Sequence, residues 1–388
     1  MIFRIVTIVL LYIYIYNPIF QVVNFGLTKF FWLPALFHLF SKKNNAAFVK
    51  LLHIEFFFVF LTIFYCVLLM PRNIDLSLRY IYINIVFIIE CFIVPYYILH
   101  IIVGFDTKKV ISFIYLTSIV AATISFILFV VPDVNFYVKS TLIHDPLSAS
   151  GIRSFSIAEG STFSYSITNA IIVIISLLYN QKRFFYISSI LLIISIAINA
   201  RIGFIILFFG ISSIIVLQYK HNSGKIFRVA ILIALCLFLV KNMSASNETL
   251  KWAASFFTES VDFFHNYNEN TTYNTLINDM FFYPETVSGC LFGEGIDIWN
   301  NAGMRSDIGY INQIFFGGLL YLFLLSCLNI YMFRRLWKAS GFVISFILFG
   351  VIFISNFKGP VLNVSTGFVK LIYLYYILLI VNNERNSI

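Results

Sequence analysis

Twelve apolar runs divide this chain and decide what it can fold into. They cover residues 2–22, 26–40, 48–70, 79–103, 110–132, 162–180, 184–200, 202–219, 227–241, 307–333, 340–356 and 367–382. Crossing the hydrocarbon of a bilayer as a helix takes about 17–25 mostly apolar residues, because lipid offers no partner to an exposed N–H or C=O. Most of the runs approach or reach that length; 26–40 and 227–241 are the shortest. The expectation is an all-α, polytopic integral membrane protein with about 12 transmembrane helices, folded as a single transmembrane domain over residues 1–388. Composition supports it. Sixty per cent of the residues are hydrophobic and 11% charged, where a soluble domain carries about 25% charged. A soluble core has no room for 46 Phe and 23 Tyr, whereas lipid-facing and interfacial positions accept them. The segment 1–20 has one basic residue and no small-residue cleavage site after its apolar run, so it reads as a first span and not a removed signal.

The polar gaps between runs set the orientation. With a cytoplasmic N-terminus, fifteen basic residues fall inside and ten outside, with Lys370 within a run. The doublets Lys42–Lys43, Lys108–Lys109, Lys182–Arg183 and Arg334–Arg335 all fall inside. Basic residues in short loops face the cytoplasm, so both termini are expected there. The formal charge of +9 is then a matter of helix orientation. No basic stripe or stacking platform suggests nucleic acid. Thirteen of the seventeen acidic residues fall outside. Either the outer segments are simply longer, or that face is built for a polar, sugar-like or phosphate-bearing substrate. The outer-face loops are 133–161 and, before the last three runs, the large 241–306.

Candidate chemistry gathers on that face. Arg201 sits in the tight turn Asn199-Ala200-Arg201-Ile202-Gly203. It is either a snorkelling anchor or an anion ligand, for which the planar guanidinium fork matches two phosphate oxygens. Arg153 and Arg305 fit the same role, and the three would suit a pyrophosphate at the membrane surface. Two carboxylates accompany them, Glu159 and Asp307. Asp307, at the start of a run, is either a helix cap or a general base. Gly293-Glu294-Gly295 is too short for a phosphate loop, and Gly309, Gly317 and Gly318 suit close helix packing. The outer histidines His144 and His265 lie in no HxxxH or HExxH, and no DxD occurs in the outer loops. No metal or other cofactor is expected. Glu55 and Glu90 lie inside runs, either as a proton path or as neutral acids bonded across helices. All five cysteines read as structural, with no CxxC and only Cys290 in a loop.

The layout and local patterns resemble the O-antigen polymerases (Wzy) and, more distantly, the O-antigen ligases. Arg153 followed by Glu159-Gly160-Ser161 is similar to that family's Arg…Glu-Pro-Ser stretch, with Gly160 in place of proline. The Asn199–Gly203 turn is similar to its Ser/Ala-Arg-x-Gly turn. Leu291-Phe292-Gly293-Glu294-Gly295, then Ser306-Asp307-Ile308-Gly309-Tyr310 and Gly317-Gly318, resembles the end of its large loop and the following span. Asp307 stands where ligases carry a histidine, which favours a polymerase. An arginine common early in the large loop is missing, with only Lys241 and Lys251 there. The resemblance implies a metal-independent glycosyltransferase at the outer face of a bacterial inner membrane. A growing glycan on undecaprenyl pyrophosphate would be transferred to a new lipid-linked repeat unit. Arg153, Arg201 and Arg305 would hold the pyrophosphate, and Asp307 or Glu159 would assist the acceptor hydroxyl. Partners would be the lipid-linked oligosaccharide, membrane lipid, a chain-length regulator and a flippase. A Wzx-like flippase is the main rival, against which the long 241–306 loop argues; an O-antigen ligase is the other.

Overall fold

A computed structural model describes residues 2–143, 155–159, 162–179, 183–243, 279–299 and 305–386. The chain order is α1 (Ile2–Tyr16), α2 (Trp32–Leu39), α3 (Lys42–Leu68), α4 (Ile74–Ile88), α5 (Val94–Tyr97), α6 (Thr107–Val130) and α7 (Pro132–Thr141). Then follow α8 (Thr162–Tyr179), α9 (Arg183–Ala197), α10 (Ile202–Met243), α11 (Val287–Phe292), α12 (Gly309–Ser340), α13 (Phe342–Ser355) and α14 (Gly367–Asn386). Two π-helical turns, Ile89–Ile93 and Ile98–Val103, flank α5 and make Ile74–Val103 continuous. Among the described residues there is no strand, only two isolated bridges. Among the described residues, four helices are long and apolar enough to cross a membrane: Asn45–Leu68, Ile74–Val103, Thr107–Val130 and Gly309–Ser340. Shorter apolar helices accompany them. This is the build of a membrane-embedded helical protein. Phe57, Phe60 and Phe64 leave an apolar stripe of α3 exposed at helical spacing, as a lipid-facing surface requires.

Local chemistry explains where the helices stop. The first apolar run runs to residue 22, but α1 ends at Tyr16. Asn17 takes a left-handed conformation (φ 44°) and Pro18 follows. Asparagine tolerates that conformation better than most residues, and proline cannot continue the helix. Pro132 separates α6 from α7 and occupies the first turn of α7, where its missing N–H is not needed. Asn73 and Asp106 cap α4 and α6, accepting from Leu76 N (3.0 Å) and Lys109 N (3.1 Å). The run 26–40 is not one helix. It forms the 3-10 turn Leu27–Phe31 and then the eight-residue α2. The runs 202–219 and 227–241 share one 42-residue helix, α10. The polar stretch between them, 220–225, has one glycine and no proline, so nothing in the backbone forces a break.

The chain packs as two compact units, residues 1–33 with 98–261, and 34–97 with 262–388. In the first, α8 is central, packed by α6, α9 and α10, with α1 on α6. Its Ile171–Ile175 stretch is fully buried. In the second, α12 packs against α3, α11, α13 and α14. Arg335 of α12 ties three of these helices together: its Nη1 donates to Glu55 Oε1 (2.6 Å) and its Nη2 to Glu384 Oε1 (3.1 Å). Tyr376 of α14 also donates to Glu55. The buried acid of α3 is therefore bonded across helices, and its partners include a guanidinium.

Candidate functional site

In the first unit, the Glu159 side chain and the turn that carries Arg201 are fastened to the start of α8. The segment 133–161 opens as helix α7, and its end returns onto α1. Glu159 N donates to Tyr16 O at 2.7 Å, and the Tyr12 hydroxyl donates to Ile157 O at 3.0 Å. The Glu159 side chain is buried, and Ser164 Oγ of α8 donates to its Oε1 at 2.6 Å. Two residues along α8, Ser166 Oγ donates to Ala200 O at 2.9 Å, fixing the carbonyl next to Arg201. A Cβ at Gly203 would collide with Ser166 Oγ, so this glycine lets α10 approach α8 closely. Asn199 is fully buried, and its amide donates to Ser195 O (2.6 Å) and Ser125 Oγ (3.2 Å). Arg201 itself is partly exposed. Arg153 lies outside the described residues, as do 244–278 and 300–304 of the large loop.

In the second unit, Arg305 and Asp307 form a cluster with a residue not singled out from the sequence. Lys358 Nζ lies 3.1 Å from Asp307 Oδ2, and Arg305 Nε lies 3.8 Å from Oδ1. Both basic side chains are more than half exposed. Asp307 does not cap α12. The N-cap is Ile308, without a side-chain bond. Ser306 Oγ accepts from Ile308 N (3.1 Å) and donates to Met280 O (2.9 Å). With Ser306 taking that local N–H, Asp307 is left to its cations. Lys358 carried no signal in the sequence because a lone lysine between two runs is indistinguishable from a snorkelling anchor.

The end of the large loop docks on a break in α12. Gly318 adopts φ 72°, interrupting the helix at its tenth residue. The carbonyls freed there find partners: Glu294 N donates to Phe315 O (2.8 Å), Gly295 N to Phe316 O (3.2 Å), and the Tyr65 hydroxyl to Gly317 O (2.8 Å). A broken helix in lipid needs such replacements. Gly293, at φ 76°, sits so close that a Cβ would be 2.5 Å from Phe316 O. Arg72, at the turn before α4, donates to the carbonyls of Phe292 (2.9 Å) and Gly293. Asn73 donates to Gly295 O (3.0 Å), and Arg79 pairs with Asp297 (2.7 Å). The glycines thus serve a loop-to-helix contact, which the helix-packing reading of Gly317 and Gly318 only partly foresaw.

Between α13 and α14, residues 356–366 are non-helical, yet Val361, Leu362 and Asn363 are buried. Asn363 Nδ2 donates to Asn84 Oδ1 (3.2 Å) and to the Tyr321 hydroxyl (3.0 Å). Just beyond, Lys370 Nζ is fully buried 4.0 Å from Glu90 Oε2 in the first π-helical turn. Among the described residues, no group of three His, Cys, Asp or Glu could hold a metal ion. The described cysteines are free, and Cys290 donates to Pro284 O at 3.2 Å.

Comparison with known proteins finds no relative: no family matches the chain, and neither does any curated protein or solved structure.

Proposed function

We propose that this chain is a polysaccharide polymerase of the O-antigen polymerase kind, acting in a bacterial inner membrane on lipid-linked oligosaccharides. The reading rests on the ordered resemblance of Arg153–Ser161, Asn199–Gly203 and Leu291–Gly318. One observation supports it most. The Glu159 segment and the Arg201 turn, far apart in sequence, are both bonded to the first two turns of α8, through Ser164 and Ser166. A carboxylate and an arginine-bearing turn so fastened suit a reaction in which a hydroxyl attacks and a pyrophosphate leaves. In this account Arg201 and Arg305, with Arg153, neutralise the charge that grows on the leaving diphosphate. Glu159 or Asp307 accepts the proton of the attacking hydroxyl. The account includes about 12 spans, cytoplasmic termini and both long loops on the outer face. A polar headgroup with a hydrocarbon tail explains why such an enzyme is mostly helices in lipid.

A transporter of the same lipid-linked sugar is the second reading. The buried Lys370–Glu90 pair favours it, because ionisable pairs within spans often mark transport pathways. Deleting the gene separates the two. Lipid anchors carrying a single exported repeat unit support the polymerase, whereas repeat units retained at the cytoplasmic face support the transporter and overturn the polymerase.

A further inference from the structure

The segments Ser156–Glu159 and Asn199–Arg201 are linked inside the first unit by a chain of buried hydrogen bonds. Ser156 Oγ lies 2.9 Å from the Tyr12 hydroxyl, and Glu159 N donates to Tyr16 O. The Tyr16 hydroxyl lies 2.8 Å from Ser118 Oγ and donates to Asn169 Oδ1 at 2.7 Å. Asn169 Nδ2 donates to Ser195 Oγ at 3.0 Å, and Ser195 O accepts from Asn199 Nδ2. The path runs from α1 through α8 to α9 and reaches the residue two before Arg201. Asn169, Ser195 and Asn199 are fully buried and Tyr16 almost so. Such groups are costly in an apolar interior unless bonded, and when bonded they fix one arrangement of the helices. Apolar side chains of the same size would hold the helices together without fixing it so narrowly.

We propose that Tyr16 and Asn169 are positioning residues: they hold the Glu159 segment and the Arg201 turn in one fixed relation for glycan transfer. The proposal rests on the polymerase reading above. Neither residue touches substrate in this account; each acts through the backbone that carries Glu159 or Arg201. Misplacing a reacting group by about 1 Å lowers a rate about a hundredfold at the extreme, so loss of one hydroxyl should be visible in turnover.

The test uses the full-length protein in lipid vesicles, with lipid-linked repeat units extracted from the deletion host. Tyr16→Phe should lower kcat about tenfold and leave KM within about twofold, because binding groups remain while their alignment loosens. In an Arg201→Ala background the same substitution should change the residual rate less than about twofold, since coupled residues are non-additive. An unchanged kcat, or a loss that is fully additive with Arg201→Ala, overturns the proposal. If Tyr16→Phe does not fold, Ser195→Ala removes the acceptor of Asn169 and should lower kcat in the same way; an unaltered kcat there also overturns it. If Arg201→Ala and Glu159→Gln both leave the rate intact, the polymerase reading fails and the positioning proposal fails with it. Loss in those two with no effect of Tyr16→Phe overturns the positioning alone.

Discussion

Glu55 Oε1 and Arg335 Nη1 lie 2.6 Å apart, the carboxylate fully buried on α3 and the guanidinium on α12. Arg335 Nη1 also donates to Leu51 O at 2.5 Å. Breaking a buried pair by removing one partner typically costs about 3–5 kcal/mol, because the other charge stays uncompensated. Arg335→Ala should therefore reduce the amount of folded protein in the membrane. The paired replacement Glu55→Gln with Arg335→Met should restore much of it. Detergent-resistant folded fraction on heating measures both; equal losses in single and double variants would contradict the pairing.

Gly318 gives a sharper test of the docked loop. Its φ of 72° disfavours any Cβ, and the added methyl would overlap Leu291 O. Gly341 also has positive φ, 94°, but open space around it. Both substitutions to alanine force a Cβ into a region of positive φ and ψ near 180° that essentially only glycine adopts, at about 1–3 kcal/mol, but only Gly318→Ala adds the clash. Gly318→Ala should lower thermal stability clearly more than Gly341→Ala, and similar effects would argue against close docking of Leu291–Gly295 on α12.

Arg72 and Arg79 make the same point from the other side. Arg79–Asp297 is an exposed pair, and such pairs contribute about 0–1 kcal/mol. Arg72 instead fixes two loop carbonyls at the Gly293 turn. Maleimide labelling of Cys290, which is partly buried beside this turn, should speed up in Arg72→Ala and change little in Arg79→Ala. The reverse order would locate the anchor at Asp297.

The long helix α10 is a prediction about topology. Forty-two residues make a helix about 63 Å long, roughly twice the hydrocarbon thickness. A straight helix would leave one apolar run in water and place Lys220, His221 and Lys225 beyond the bilayer. Two spans here need a turn within 220–225, which the continuous helix α10 does not contain. A layout of about 12 spans predicts reporter fusions at 222 and 250 on opposite sides, cytoplasmic and outer; the same side for both would mean that α10 crosses once and the span count is lower.

Much of the helical layout was legible in the sequence because apolar runs of bilayer length have few other uses. The ends were less legible. The stop at Asn17 depends on a single left-handed residue before Pro18, inside a run whose hydropathy continues. The site was legible as residue types and order only. Glu159 and Arg201 stood out as polar residues at the edges of apolar runs, but the serines that fasten them, Ser164 and Ser166, look like any small residues inside a span. Asp307 was visible, while its pairing with Lys358 depends on the return of the chain 51 residues later. The loop-to-helix contact at Gly293 and Gly318 was hidden because glycines that admit a loop and glycines that admit a helix read alike.

As proposed, the chain joins lipid-linked repeat units and uses Arg201 to do so. Purified protein in lipid vesicles, given lipid-linked repeat units from the deletion host, tests it directly by gel separation of the glycans. The account predicts a ladder of multi-repeat products with the native protein and a loss of about a hundredfold or more in rate with Arg201→Ala, in the range seen on removing one oxyanion-stabilising group. A full ladder from Arg201→Ala protein present in equal amount, or no ladder from the native protein under conditions where it is folded, would contradict it.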